Sequence, residues 1–242
     1  MAGLSIAAII AAVLIGFSKA GIKGITAISV TLLALVYGAK NSTGIMLPLL
    51  ISGDIAAVIY YNKKCDWGLL LKLLPYVAIG VIIGAFIGDE LPEELFKKSM
   101  AVIIIISVSL MVWHERSTIQ LDKRSTGLGV ILGLLAGITT MIGNLAGAFS
   151  NLFFLSMRLN KETFIGTAAW LFFVINLFKL PFHIYMWETI DLSSLYIGLT
   201  LLPFLVLGFI GGLKIVNFFS DNSYRYFIIL MTLIGAVVML MS

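Results

Sequence analysis

The chain has 242 residues, 60% of them hydrophobic and 12% charged, against roughly 45–50% and about 25% in a soluble domain. One soluble core of this size cannot hide that excess, so lipid must solvate the remainder, and no polar stretch is long enough to form a second, soluble domain. The formal net charge of +4 points to the cytoplasmic loops of a membrane protein rather than to nucleic acid.

Apolar runs between breaks predict ten helical segments: Leu4–Phe17, Ile25–Tyr37, Ser42–Tyr61, Trp67–Gly88, Leu95–Trp113, Leu128–Ile138, Leu145–Met157, Thr163–Met186, Leu192–Leu213 and Tyr224–Met241. The expected fold is an all-α polytopic membrane protein, a single transmembrane domain over residues 1–242. The start, Met1-Ala2-Gly3-Leu4, lacks the charged region of a signal peptide, so the first segment is expected in the mature protein. A spanning helix needs about 20 residues to cross about 30 Å of hydrocarbon, and six segments approach that length. Segments one, two, six and seven do not, because even a helix of about 14 residues covers only about 21 Å.

Each short pair is joined by a glycine-rich break, Gly16–Gly24 in one case and Gly137–Gly147 in the other. Each is expected to form a broken or re-entrant hairpin, giving eight to ten helices according to whether the short segments span. The polar stretch His114–Thr126 reads as a connecting loop. Cys65 is the one cysteine, which excludes an internal disulfide, and it reads as an inert loop thiol. His114 and His183 have no second histidine or cysteine at metal-ligand spacing. No nucleotide motif is present, so neither a metal or other cofactor nor an enzymatic activity is expected.

Loops after segments three, five, seven and nine carry Lys63, Lys64, Arg116, Lys123, Arg124, Arg158, Lys161 and Lys214. The alternate loops carry only Lys40, Lys97 and Lys98, the last two preceded by four acidic residues. The positive-inside rule therefore predicts both termini outside the cytoplasm, in an inner-membrane setting. The halves resemble each other. Leu73-Leu74-Pro75 with Gly80 and Gly84 matches Leu201-Leu202-Pro203 with Gly208 and Gly212, and Leu14-x-Gly16 matches Leu135-x-Gly137. Five segments per half predict two inverted repeats, about 4–113 and about 127–242, the arrangement of secondary transporters with broken helices. The Gly-x3-Gly pairs also suit close helix packing.

Polar groups inside a bilayer are costly and tend to be functional. Ser18 and Lys19 lie at the first break and Lys23 just before its second half-helix. Asp54 lies inside segment three. Thr139, Thr140 and Asn144 lie at the second break, and Thr167, Asn176 and Lys179 in segment eight. Gly16, Gly21, Gly24 and Gly143 let the chain turn and a ligand approach the backbone. Helices starting near Gly24 and Asn144 offer free N–H groups and a positive dipole end, which suits an oxyanion. Asp54 is the candidate for proton or ion coupling. Against these roles, Lys19 and Lys23 can snorkel to headgroups, Asp54 can be a structural partner, and the hydroxyls can satisfy freed backbone groups. The anion is expected between the two breaks, with Lys19 the most influential side chain.

Gly16-Phe17-Ser18-Lys19-Ala20-Gly21-Ile22-Lys23-Gly24 and Leu47-Pro48-Leu49-Leu50-Ile51-Ser52-Gly53-Asp54-Ile55-Ala56-Ala57 followed by Tyr60 stand in the first half. Gly137 to Gly147 and Phe164-Ile165-Gly166-Thr167-Ala168-Ala169 followed by Asn176 and Lys179 stand in the second. In their order and spacing these motifs resemble the TauE/SafE family of sulfite-exporter-like permeases over nearly the whole chain. The resemblance implies transport of sulfite, an organosulfonate or a related sulfur-containing anion. The second break departs from the first in lacking a lysine. The competing readings are a permease for another anion such as a carboxylate, or for a metal ion, and a membrane assembly or redox partner protein without transport. The expected partners are the lipid bilayer, a coupling ion (proton or sodium) and, where the chain self-associates, further copies of itself.

Overall fold

The computed structural model describes residues 5–116 and 126–240. Most of the polar loop expected at His114–Thr126 lies outside the described residues, and so do Lys123, Arg124, Met1–Leu4, Met241 and Ser242. The described residues form ten α-helices and no strand. These are α1 (Ile6–Ala20), α2 (Thr26–Tyr37), α3 (Ala39–Tyr61), α4 (Trp67–Glu90), α5 (Glu93–Arg116), α6 (Thr126–Gly143), α7 (Ala146–Ser156), α8 (Lys161–Pro181), α9 (Leu192–Asn217) and α10 (Asp221–Leu240). A π turn, Phe182–Met186, continues α8 beyond Pro181. Helices α3, α4, α8 with its π turn, and α9 are long and apolar enough to cross a membrane. The chain is a multi-pass membrane protein whose outer faces are apolar, for example Ile79, Ile83 and Phe86 on α4 and Leu199, Val206 and Leu207 on α9.

The ten segments correspond to the ten helices, but both breaks are shorter than expected. Helix α1 runs on through Gly16, Ser18 and Lys19 and ends at Gly21, whose φ of 124° lies outside ordinary L-residue space. The first break is only residues 21–25. Helix α6 likewise runs through Gly137, Thr139 and Thr140 to Gly143, so it has 18 residues, and the second break is Asn144 and Leu145. The physical reason is packing. A Cβ on Gly16 would fall 2.1 Å from the Leu205 carbonyl oxygen of α9, and one on Gly137 would fall 2.1 Å from the Val77 carbonyl oxygen of α4. These glycines bring helix backbones together rather than turn the chain.

The contacts are reciprocal. Gly208 and Gly212 of α9 meet Val13 and Phe17 of α1, while Gly80 and Gly84 of α4 meet Leu134, Gly137 and Ile138 of α6. Small residues let apolar helices approach closely where no hydrophobic drive separates them from lipid. Thus α1 packs chiefly on α9, α6 chiefly on α4, and α3 and α8 pack on each other between them.

Four helix starts are capped by side chains. Ser5 accepts from Ala8 N–H, Asp66 from Leu69, Asn160 from Thr163 and Asp191 from Ser194. The Ser194 backbone N–H and then its hydroxyl hold the Asp191 carboxyl below the usual carboxylate range. Helices α2 and α7 differ. Their caps are Ile25 and Leu145, apolar residues that make no capping hydrogen bond.

Candidate functional site

The two uncapped starts open onto one cavity. Its walls include Ser18, Lys19, Lys23, Gly24, Thr26 and Ala27 from the first hairpin and Thr140, Asn144, Leu145, Ala146, Gly147 and Asn151 from the second. Leu50 of α3 and Phe172 and Asn176 of α8 complete the lining. The first break owes its shape to its last helical turn. Ile22 N–H reaches back to the Phe17 carbonyl at 3.0 Å and Gly21 N–H to Ser18 at 3.2 Å, so the chain leaves the helix in a tight C-cap. Gly24, with φ 92°, turns it again, and the Ser18 and Thr26 hydroxyls bond across the break at 2.6 Å.

Two tyrosines hold carbonyls at the end of α1. Tyr61 of α3 donates to the Ala20 carbonyl at 2.8 Å, and Tyr224 of α10 donates to the Gly21 carbonyl. Neither was singled out from the sequence, since a tyrosine in an apolar helix reads as core.

Charge is concentrated here. The buried charged side chains among the described residues are Lys19, Lys23, Lys179 and Asp54, a formal surplus of two positive charges. Lys19, 4% exposed, pairs with Asp54 Oδ1 at 2.6 Å, and Asn176 Nδ2 donates to the other carboxylate oxygen at 2.7 Å. Snorkelling is therefore not what Lys19 does. Lys179, behind the cavity wall, donates to Asn144 Oδ1 and to Thr140 Oγ1 at 3.3 Å, while Asn144 Nδ2 donates to the Thr43 carbonyl at 3.2 Å.

Lys23 is 2% exposed, and its side chain has no hydrogen-bond or ion-pair partner among the described residues. Its ammonium, like that of Lys19, lies 5.3 Å from the Phe172 ring centre, within cation–π range. An unpaired buried charge is costly.

A model of the sulfite exporter family TauE/SafE matches residues 8–239. The chain belongs to the TauE/SafE family. Comparison with the curated proteins and with the solved structures finds no match. TauE/SafE membership makes the chain a membrane transporter of the sulfite and anion exporter class.

In this TauE/SafE chain, Ser18, Lys19, Lys23, Gly24, Thr140, Asn144 and Asn176 share the cavity wall, and Asp54 and Lys179 stand directly behind it. The other expected residues lie elsewhere. Gly16 packs on α9, Gly21 against Ile165 and Val216, and Gly143 against Met100. The Thr139 hydroxyl contacts the Ala136 and Leu145 carbonyls, both at 3.3 Å, a backbone-satisfying role. Thr167 accepts the Asp66 N–H at 2.9 Å beside Cys65, which places it at the α3–α4 loop and away from the cavity. Burial pushes the neighbouring Cys65 thiol up to about 11, with the Thr167 hydroxyl opposing and the Asp66 carboxylate reinforcing the shift; such a thiol is protonated and unreactive near neutrality.

Proposed function

We propose that this protein exports a small sulfur-containing oxyanion, sulfite or an organosulfonate, across the inner membrane by alternating access, with the anion held between the two breaks. One observation carries the reading. Two uncapped helix starts and an unpartnered buried lysine converge on a single cavity with surplus positive charge. Backbone N–H groups at a helix start bind oxyanions, and a buried ammonium attracts them strongly where water is scarce. In this reading Lys23 makes the primary contact. Lys19, already neutralised by Asp54, becomes available only as that pair loosens.

The loosening offers a coupling device. An arriving anion competes with Asp54 for Lys19, and a released Asp54 takes up a proton or sodium ion. The equivalent α1–α9 and α6–α4 seams, each joining a helix of one half to a helix of the other, support two inverted repeats. Both termini are assigned to the extracytoplasmic side from the lysine and arginine bias. A C-terminal reporter fused after Ser242 tests this, and a cytoplasmic signal overturns the orientation.

The deciding experiment is flux from proteoliposomes loaded with sulfite, an organosulfonate, a carboxylate or phosphate, with and without a proton or sodium gradient. Sulfur-anion flux above that of the carboxylate, enhanced by one gradient, is the expected result. Equal or absent flux of the sulfur anions overturns the assignment.

A further inference from the structure

We infer that the cavity is built for an anion that itself carries a hydrogen-bond donor, and that Asn151 of α7 is the acceptor that selects it. This rests on the transport reading above and narrows its substrate. Asn151 is 2% exposed and lines the cavity, yet neither end of its amide makes a hydrogen bond among the described residues, and its Oδ1 is fully buried. Buried polar side chains are bonded in the great majority of cases, and each exception has a reason. Among the described residues, the other fully buried side-chain atoms without a partner, on Ser29, Trp170 and His183, belong to residues off the cavity wall.

The reason follows from a census of donors and acceptors around the cavity. Most side-chain acceptors there are engaged. Asp54 is taken by Lys19 and Asn176, Asn144 Oδ1 and Thr140 Oγ1 by Lys179, and one hydroxyl of the Ser18–Thr26 pair accepts from the other. Donors are in surplus, namely the Lys23 ammonium and the N–H groups at the starts of α2 and α7. An anion's oxygens are therefore amply served, whereas the Asn151 oxygen waits for a donor. A fully deprotonated oxyanion has none to give. An anion bearing a hydroxyl, an amino group or an acidic proton has one. The last side-chain bond of asparagine turns easily, and no hydrogen bond holds this one, so the oxygen can face the ligand.

The test compares ethanesulfonate with 2-hydroxyethanesulfonate, which differ by one hydroxyl, as thermal stabilisers of the purified full-length protein and as substrates in proteoliposomes. The wild type is expected to bind the hydroxy anion about 10-fold more tightly, the worth of one buried hydrogen bond. Asn151→Leu, similar in volume, should bring the two within about twofold by weakening the hydroxy anion alone. Equal binding by the wild type overturns the inference, a result that needs no variant to fold. An equal loss of both anions in Asn151→Leu also overturns it, since the amide then serves the sulfonate itself. Absence of binding and flux for both anions in the wild type overturns the transport reading as well.

Discussion

The two hairpins meet at one cavity but carry charge differently. The first brings its own cations, Lys19 and Lys23, and needs a carboxylate from α3 to hold one of them. The second has no lysine. At the sequence positions matching Lys19 and Lys23 it carries Thr140 and Asn144, and those neutral groups accept from a lysine set behind them on α8. A charge held by an opposite charge is bound to its partner, whereas one held by neutral oxygens leaves the field around it uncancelled. In the proposed cycle the first hairpin is therefore the half that changes its pairing.

That contrast is broken most directly at Asp54. Asp54→Asn leaves Lys19 buried without a counterion and should cost about 3–5 kcal/mol, read as lost membrane abundance and a lower unfolding temperature. Adding Lys19→Met in the same chain should restore abundance without restoring flux. If Asp54→Asn alone is abundant, the pair is not what holds the first break.

Next comes the free lysine. Lys23→Gln should lower anion flux about 100-fold at normal abundance, as expected when a desolvated charge partner is lost. Lys179→Met should cost about 10-fold, because it acts through the field rather than by contact. The reverse order would move the anion to the second break.

The seams are then compared by Gly208→Ala and Gly80→Ala, whose new methyls would fall 2.1 Å from the Val13 carbonyl oxygen and 2.2 Å from that of Leu134. Each should lower stability by about 1–3 kcal/mol through overpacking, and only Gly208→Ala should also disturb the lysine-bearing hairpin. Equal flux deficits at matched stability would show that the seams are interchangeable.

The smallest effect is expected from Tyr224→Phe and Tyr61→Phe, each about 1 kcal/mol for one hydrogen bond to a break carbonyl, measurable as a shift in thermal unfolding. No shift in either would remove the tyrosines from the support of the break.

Much of this was legible in the sequence. Apolar runs and glycine clusters depend on local composition, and they yielded ten helices with a break after α1 and after α6. What escaped depends on which residues meet. Gly16 and Gly137 look like turn glycines until their partner helices are known. Lys19 drew attention beside Ser18, yet its partner Asp54 lies 35 residues on and leaves Lys23 as the open charge. Asn151 and Tyr224 look like core positions because only their surroundings, in one case an empty partner list and in the other a carbonyl 203 residues away, set them apart. Thr167 shares α8 with Asn176 and Lys179 but sits near the opposite end of that helix.

The Tyr224 contact also sets an order of assembly. Helix α6 rests on α4, which is already synthesised when α6 emerges. Helix α1 rests on α9, and the carbonyl of its C-cap residue, Gly21, is held from α10. At roughly 5–20 residues per second, the ribosome needs on the order of 10–40 s to travel from Gly21 to Tyr224. For that interval the first hairpin, with two lysines, lacks both its seam and its clasp, so the earliest part of the chain to be made is among the last to be finished.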